Sequence, residues 1–137
     1  ASFATGADAY KGFYAPEIYA GLGEFLRKMH RRGVFFRDLS AGNILIQRDE
    51  SGAPQFILID TGRIRVYPVA LSSSRRMADM VRVGNKLDWT GRERLMEEYS
   101  GHAMSREQRV QLRLYDLKVW LKRRFGRKVL KRLFSAN

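Results

Sequence analysis

The sequence predicts an α+β fold, mostly helical, built around a small β-hairpin. Apolar residues recur every three to four positions over 16–32 and again from about residue 73 onward, as one face of a helix requires. Between those segments, Val34-Phe35-Phe36, Ile44-Leu45-Ile46 and Phe56-Ile57-Leu58-Ile59 are short β-branched or aromatic runs bounded by turn residues. No internal repeat or long linker divides the 137 residues, a length that supports one domain with a real core.

Residues 1–14 show no clear period. Pro16 then suits a first helical turn, where its missing N–H costs nothing. Ile18, Leu22, Phe25, Leu26 and Met29 form the buried face of the helix it opens. His30-Arg31-Arg32 followed by Gly33 marks the end, with basic groups near exposed carbonyls and then a residue that tolerates positive φ. Asp49 to Pro54 reads as the hairpin loop between the second and third runs. Helical patterning resumes near Ser73 and runs to about Val83 with Met77, Met80 and Val81. Thr90-x-x-Glu93 and Ser105-x-x-Gln108 read as capping boxes, opening helices over about 91–99 and 106–124. Gly126 breaks the last of these before a short basic segment, 127–134.

Twenty-six Lys and Arg against 14 Asp and Glu leave a net charge of +12, which predicts attraction to phosphate-bearing partners. With no cysteine, a disulfide framework and a cysteine-ligated metal site are excluded. No apolar run is long enough to span a bilayer. The start, Ala1 to Thr5, has neither the basic nor the apolar region of a secretory leader, and lacks an initiator Met, as the remainder of a longer chain would.

The chemistry concentrates in Phe36 to Ile46 and Phe56 to Arg63. Asp38 and Asn43 fall in a loop between two strands. Asp60 ends a third, and Gly62 is expected to let the backbone turn sharply after it. The hairpin over 44–59 folds back, so Asp60 can approach Asn43 across 17 positions. A carboxylate and an amide oxygen at the rim of a sheet are hard donors of the kind magnesium shares with phosphates and water. A buried carboxylate ending an apolar strand would otherwise be costly, which strengthens the reading for Asp60. Asp38 is placed to accept a proton from a hydroxyl nucleophile.

These residues resemble the protein-kinase-like superfamily, whose catalytic loop reads H-R-D-L-x-x-x-x-N and whose metal loop reads D-F-G. Arg37, Asp38, Leu39 and Asn43 match the first, Asp60 and Gly62 the second, while Phe36 stands for the family His and Thr61 for Phe. Gly33 to Leu39, Gly42-Asn43-Ile44-Leu45 and Ile59-Asp60-x-x-Arg63 are most similar to the lipopolysaccharide kinase (Kdo/WaaP) family. So is the direct passage into the helices at 76–83 and 92–99, without the long activation segment of protein kinases.

The resemblance covers about residues 16–100 and implies the C-terminal lobe of a kinase-like fold, with the basic tail at 105–137. Only 37 residues precede Asp38, so the nucleotide-covering lobe is expected to be absent from this chain. The implied roles are Asp38 as catalytic base, Arg37 in the catalytic loop, Asn43 and Asp60 holding Mg2+ on ATP, and Arg63 at a phosphate. Bracing a loop is the favoured role for Arg37. Asp79, among apolar helix residues, is implied to bond the catalytic-loop backbone. The implied activity is ATP-dependent phosphorylation of a sugar hydroxyl in the lipopolysaccharide core or a related anionic glycolipid, in the cytoplasm at the inner face of the bacterial inner membrane. The alternative is a catalytically inactive kinase-like remnant acting as a membrane- or partner-binding module.

Other features read more plainly. Gly21-Leu22-Gly23 is helix packing rather than a nucleotide loop, His30 and His102 lack metal-ligand partners, and Ser72 to Ser74 start a helix. Trp89, Trp120 and the methionines are expected in the core. From Arg106 to Arg132 there are eleven basic residues against Glu107 and Asp116. Val110, Leu114, Leu117, Leu121 and Phe125 make an apolar stripe, continued by Val129, Leu130, Leu133 and Phe134. A helix packed on the lobe is the first reading of this tail and contact with anionic lipid the second. Nucleic acid ranks last, because no aromatic stacking positions accompany the charge.

Overall fold

The computed structural model describes residues 16–126 together with 128, 131, 132 and 135. The irregular start at 1–14 and the apolar continuation at Val129, Leu130, Leu133 and Phe134 lie outside the described residues. The chain divides into two units, one ending at Met104 and one beginning at Ser105.

In the first unit, α1 (Pro16–Arg31) opens on the predicted proline, carries Glu17 in its first turn and ends in Lys28, His30 and Arg31. Charge thus opposes the helix dipole at both ends. β1 (Val34–Phe36) follows the Gly33 turn. A one-turn 3₁₀ helix, Ala41–Asn43, leads into β2 (Ile44–Arg48), which turns back through 49–53 into β3 (Pro54–Leu58). A second 3₁₀ turn, Thr61–Arg63, precedes β4 (Ile64–Val66). α2 (Ser73–Gly84) and α3 (Trp89–Ser100) complete the unit.

The strands form two separate antiparallel pairs, β1 with β4 and β2 with β3. Phe36 lies opposite Ile64, and Ile44 opposite Leu58. β4 was not foreseen: three residues containing Arg65 carry no usable period, and only pairing with β1 makes them a strand.

The core joins Leu22 and Leu26 of α1, Phe36, Leu39, Ile44, Met80 and Val83 of α2, and Leu95 and Met96 of α3. α1 packs on α3 at Gly23 and on β3 at Gly21. A Cβ at Gly23 would lie 2.8 Å from the Glu98 backbone, and one at Gly21 would lie 2.8 Å from the Phe56 ring. Both glycines therefore serve close approach, as the sequence predicts.

Several expectations are corrected. α3 begins at Trp89, and its cap is Asp88, whose Oδ1 accepts from Gly91 N–H at 2.7 Å. Thr90 is the second helical residue rather than the cap, because Asp88 is already three residues ahead of an available donor. The sharp turn after β3 falls on Asp60 itself, at φ 56 and ψ 51, and not on Gly62. β3 stops at Leu58, and Asp60 is exposed, so no buried carboxylate ends this strand. Trp89 is half-buried, its indole donating to Glu93 at 3.1 Å, and Trp120 is 55% exposed. Met29, Met80, Met96 and Met104 do lie in the core.

The second unit is α4 (Arg106–Phe125), opened by the predicted capping box. Ser105 Oγ accepts from Gln108 N–H, and Gln108 Oε1 accepts from Ser105 N–H. Gly126, at φ 78, ends it.

Candidate active site

Strand register builds the site. Because Phe36 faces Ile64 across β1 and β4, the residues just beyond that pair are brought together. Arg63 Nη1 donates to Asp38 Oδ1 at 3.1 Å. The β2–β3 hairpin does the same for Asn43 and the 59–60 segment: with Ile44 opposite Leu58, Ile59 N–H donates to the Asn43 carbonyl at 2.9 Å. Asn43 and Asp60 therefore sit at one end of one hairpin, as the fold-back predicts.

The loop between β1 and β2 is held from inside. Leu39 N–H bonds the Phe36 carbonyl at 2.8 Å, and Leu39 itself is fully buried. Asn43 Nδ2 donates to the Asp38 carbonyl at 3.0 Å, bracing the loop across its width. The Asn43 amide oxygen makes no hydrogen bond to another described residue. Asp38 stays accessible, its side chain 38% exposed. Arg37 is exposed, and its guanidinium braces no loop among the described residues.

Asp60 has the left-handed conformation that costs an ordinary L-residue about 1–2 kcal/mol, less for Asp. It is the only non-glycine residue with positive φ among those described, and its carboxylate caps no backbone donor of the turn it opens. Strain without local repayment concentrates at functional sites. Beside it, Ile57 and Ile59 point outward from the hairpin, 41% and 37% exposed.

Beneath the loop lies a buried polar relay. Asp79 on α2 and His30 on α1 are both fully buried. Asp79 Oδ2 accepts from Phe36 N–H at 3.2 Å, so the end of β1, just before the loop that carries Asp38, is pinned to α2. The same oxygen accepts from His30 Nε2 at 3.1 Å, and His30 Nδ1 bonds the Tyr99 hydroxyl on α3 at 2.7 Å. Burial pushes the Asp79 carboxyl above its ordinary range, opposed by the His30 and Phe36 bonds. Burial likewise raises the Tyr99 phenol. Asp79 Oδ1 has no hydrogen-bond partner, with Arg82 Nη1 3.7 Å away.

His30 and Tyr99 are the positioning residues that sequence reasoning missed. His30 reads there only as a charge at a helix end. The available signal was Phe36: with an apolar side chain in place of the motif histidine, Asp79 needs a donor from elsewhere.

No group of three or more His, Cys, Asp or Glu that could hold a metal occurs among the described residues. The donor set here is instead one carboxylate and one amide oxygen. Asn43 offers its oxygen because its nitrogen is committed to Asp38, and Asp60 offers an exposed carboxylate at a strained turn. That pair fits a hard cation sharing its remaining positions with phosphate oxygens and water. No helix among the described residues is long and apolar enough to cross a membrane.

Comparison with known proteins bears on the fold and the family. A solved structure described as WaaP in complex with acyl carrier protein aligns with a TM-score of 0.54 at 19% identity, covering 80% of this chain and 47% of that one. The two share a fold, and this chain spans about half the length of that relative. No curated protein matches. The model of the lipopolysaccharide kinase (Kdo/WaaP) family matches residues 2–99, and the chain belongs to that family.

Proposed function

We propose that this chain supplies the acceptor- and metal-binding part of an ATP-dependent kinase that phosphorylates a sugar hydroxyl of the lipopolysaccharide core. The observation that carries the reading is what strand register brings together: Arg63 donates to Asp38, and Ile59, the residue before Asp60, donates its N–H to the Asn43 carbonyl. Mg-ATP, when bound, supplies the phosphoryl group and a cation that neutralises charge developing on it. Asn43 and Asp60 are the residues that would hold that cation. Asp38 accepts the proton of the acceptor hydroxyl as its oxygen bonds to phosphorus and the bridging oxygen to ADP departs. Arg63, already beside that carboxylate, meets a phosphate on an anionic acceptor. Arg37 adds positive charge to the same rim, and the outward Ile57 and Ile59 offer an apolar surface beside the metal residues.

An acceptor of this kind, core lipopolysaccharide or a related anionic glycolipid, sets the place of action at the inner face of the bacterial inner membrane. The excess of basic residues favours such a surface.

The test is calorimetric titration of the chain with ATP, with and without Mg2+. Weak binding that needs Mg2+, and is lost in Asp60→Ala and Asn43→Ala while Arg109→Gln leaves it unchanged, supports the assignment. Binding that is tight and indifferent to Asp60 overturns it, and complete absence of Mg-dependent binding favours the non-catalytic module.

A further inference from the structure

On α4 the apolar stripe and the one buried position lie on different sides of the helix. At 100° per residue, Val110, Leu114, Leu117, Leu121 and Phe125 fall within about 80° of arc. Leu112, the only buried residue of α4, lies about 180° from the middle of that arc. Along the stripe, Val110, Leu114, Leu117 and Phe125 are 47%, 58%, 50% and 53% exposed. Trp120 lies beside one edge, 55% exposed and packed edge-on against Phe125 at 6.2 Å.

Charge borders the stripe on both sides. Arg106, Arg113 and Arg124 flank the edge nearer Trp120, and Lys118 and Lys122 flank the other, all within about 60° of it. Of the two acids on α4, Asp116 lies on the far side. Glu107 sits in the first turn, where Gln111 Nε2 donates to it at 3.3 Å. An apolar arc between two basic margins, with an indole at the margin, matches a bilayer interface. Acyl chains take the arc, lipid phosphates meet the Arg and Lys heads, and the indole bridges the two.

We infer that α4 lies in the plane of an anionic bilayer surface, inserting the Val110, Leu114, Leu117, Leu121 and Phe125 arc with Trp120 at the headgroup level. This deepens the membrane contact proposed above by naming the inserted face, and it is independent of the phosphoryl-transfer assignment. The partner is lipid rather than a second copy, because a copy would set the basic margins of two helices against each other. It is lipid rather than nucleic acid, because phosphate attraction alone leaves an exposed arc of this width uncovered.

The test is co-flotation of the full chain with phosphatidylcholine vesicles containing or lacking about one-third phosphatidylglycerol, at low and high salt. The expected preference for anionic vesicles is at least about tenfold, falling about tenfold as salt rises. Leu114→Glu with Leu117→Glu lowers binding about tenfold or more, while urea unfolding of the first unit stays unchanged because both positions are exposed. Arg106→Gln, Lys118→Gln, Lys122→Gln and Arg124→Gln together remove the anionic preference. Trp120 emission, read in a Trp89→Phe background, shifts to the blue on anionic vesicles.

Asp60→Ala and Asn43→Ala bind vesicles as the parent chain does, so failure here and failure of the nucleotide assignment are separately visible. Equal binding to neutral and anionic vesicles overturns the inference. So does a concentration-dependent dimer abolished by the Leu114 and Leu117 changes, or binding to RNA that exceeds vesicle binding and ignores those changes.

Discussion

Gly33 should be among the most sensitive positions in the first unit, and the structure contains its own control. Gly33 and Gly101 share almost the same backbone, φ 79 and φ 78. An alanine at either pays the same left-handed penalty, about 1–2 kcal/mol. They differ in surroundings. A Cβ at Gly101 meets nothing within 4 Å, whereas at Gly33 it would collide with the Tyr67 carbonyl oxygen and lie 2.5 Å from that of Val69.

Those oxygens belong to backbone and cannot swing aside, so the turn must lift from the 67–69 segment. Such overpacking costs about 1–3 kcal/mol. The lift also endangers the 2.8 Å bond from Tyr67 N–H to the Gly33 carbonyl, worth about 1 kcal/mol. Gly33→Ala should therefore be destabilising by about 3–6 kcal/mol in total and Gly101→Ala by about 1–2. The difference of about 2–4 kcal/mol is free of the shared penalty, and corresponds to a midpoint shift of about 1–2 M urea at a slope near 2 kcal/mol/M. Urea unfolding followed by Trp89 fluorescence in a Trp120→Phe background measures it in the first unit. Equal midpoints for the two variants would refute the steric account and reduce Gly33 to a matter of φ alone.

Two further outcomes bear on capping and on the buried relay. Asp88→Ala should cost about 1 kcal/mol and Thr90→Ala a few tenths, since Asp88 is the residue that caps α3; thermal unfolding of the pair reverses the ranking if the sequence-level capping box is the true one. For Asp79, burial raises the carboxyl in the folded protein, so between 3.8 and that raised position the folded state holds more protons than the unfolded. Its contribution is fully present below pH 3.8 and is lost as pH rises through the raised value. Asp79→Asn should thus gain stability relative to the parent chain across that window, as urea unfolding at successive pH values will show; a gap that stays constant with pH contradicts the assignment.

Much of the site was legible because its residues are local to strong punctuation. The helix over 16–31 carries its face, its opening proline and its stop within the segment, and the capping box at Ser105 closes on itself within four residues. The hairpin needed only two apolar runs and a loop, and once it folds back, Asn43 and Asp60 fall at the same end of it. The exposure of Asp60 was not legible. An apolar run reads as buried on both faces, but Ile57 and Ile59 leave one face of the hairpin open and the carboxylate at its end with them.

What the amino-acid order alone determined was the family, the principal elements and the placement of Asp38, Asn43 and Asp60 at turn positions, since periodicity, caps and motif spacing act within a few residues. Only tertiary structure decided that Arg63 meets Asp38 and that His30 bridges Tyr99 to Asp79, across 69 and 49 positions. It also decided that Val110, Leu114, Leu117 and Phe125 of the α4 stripe stay about half exposed. Those facts arise from which surfaces pack against which. A buried polar atom takes its partner from whatever element reaches it first, however far away along the chain.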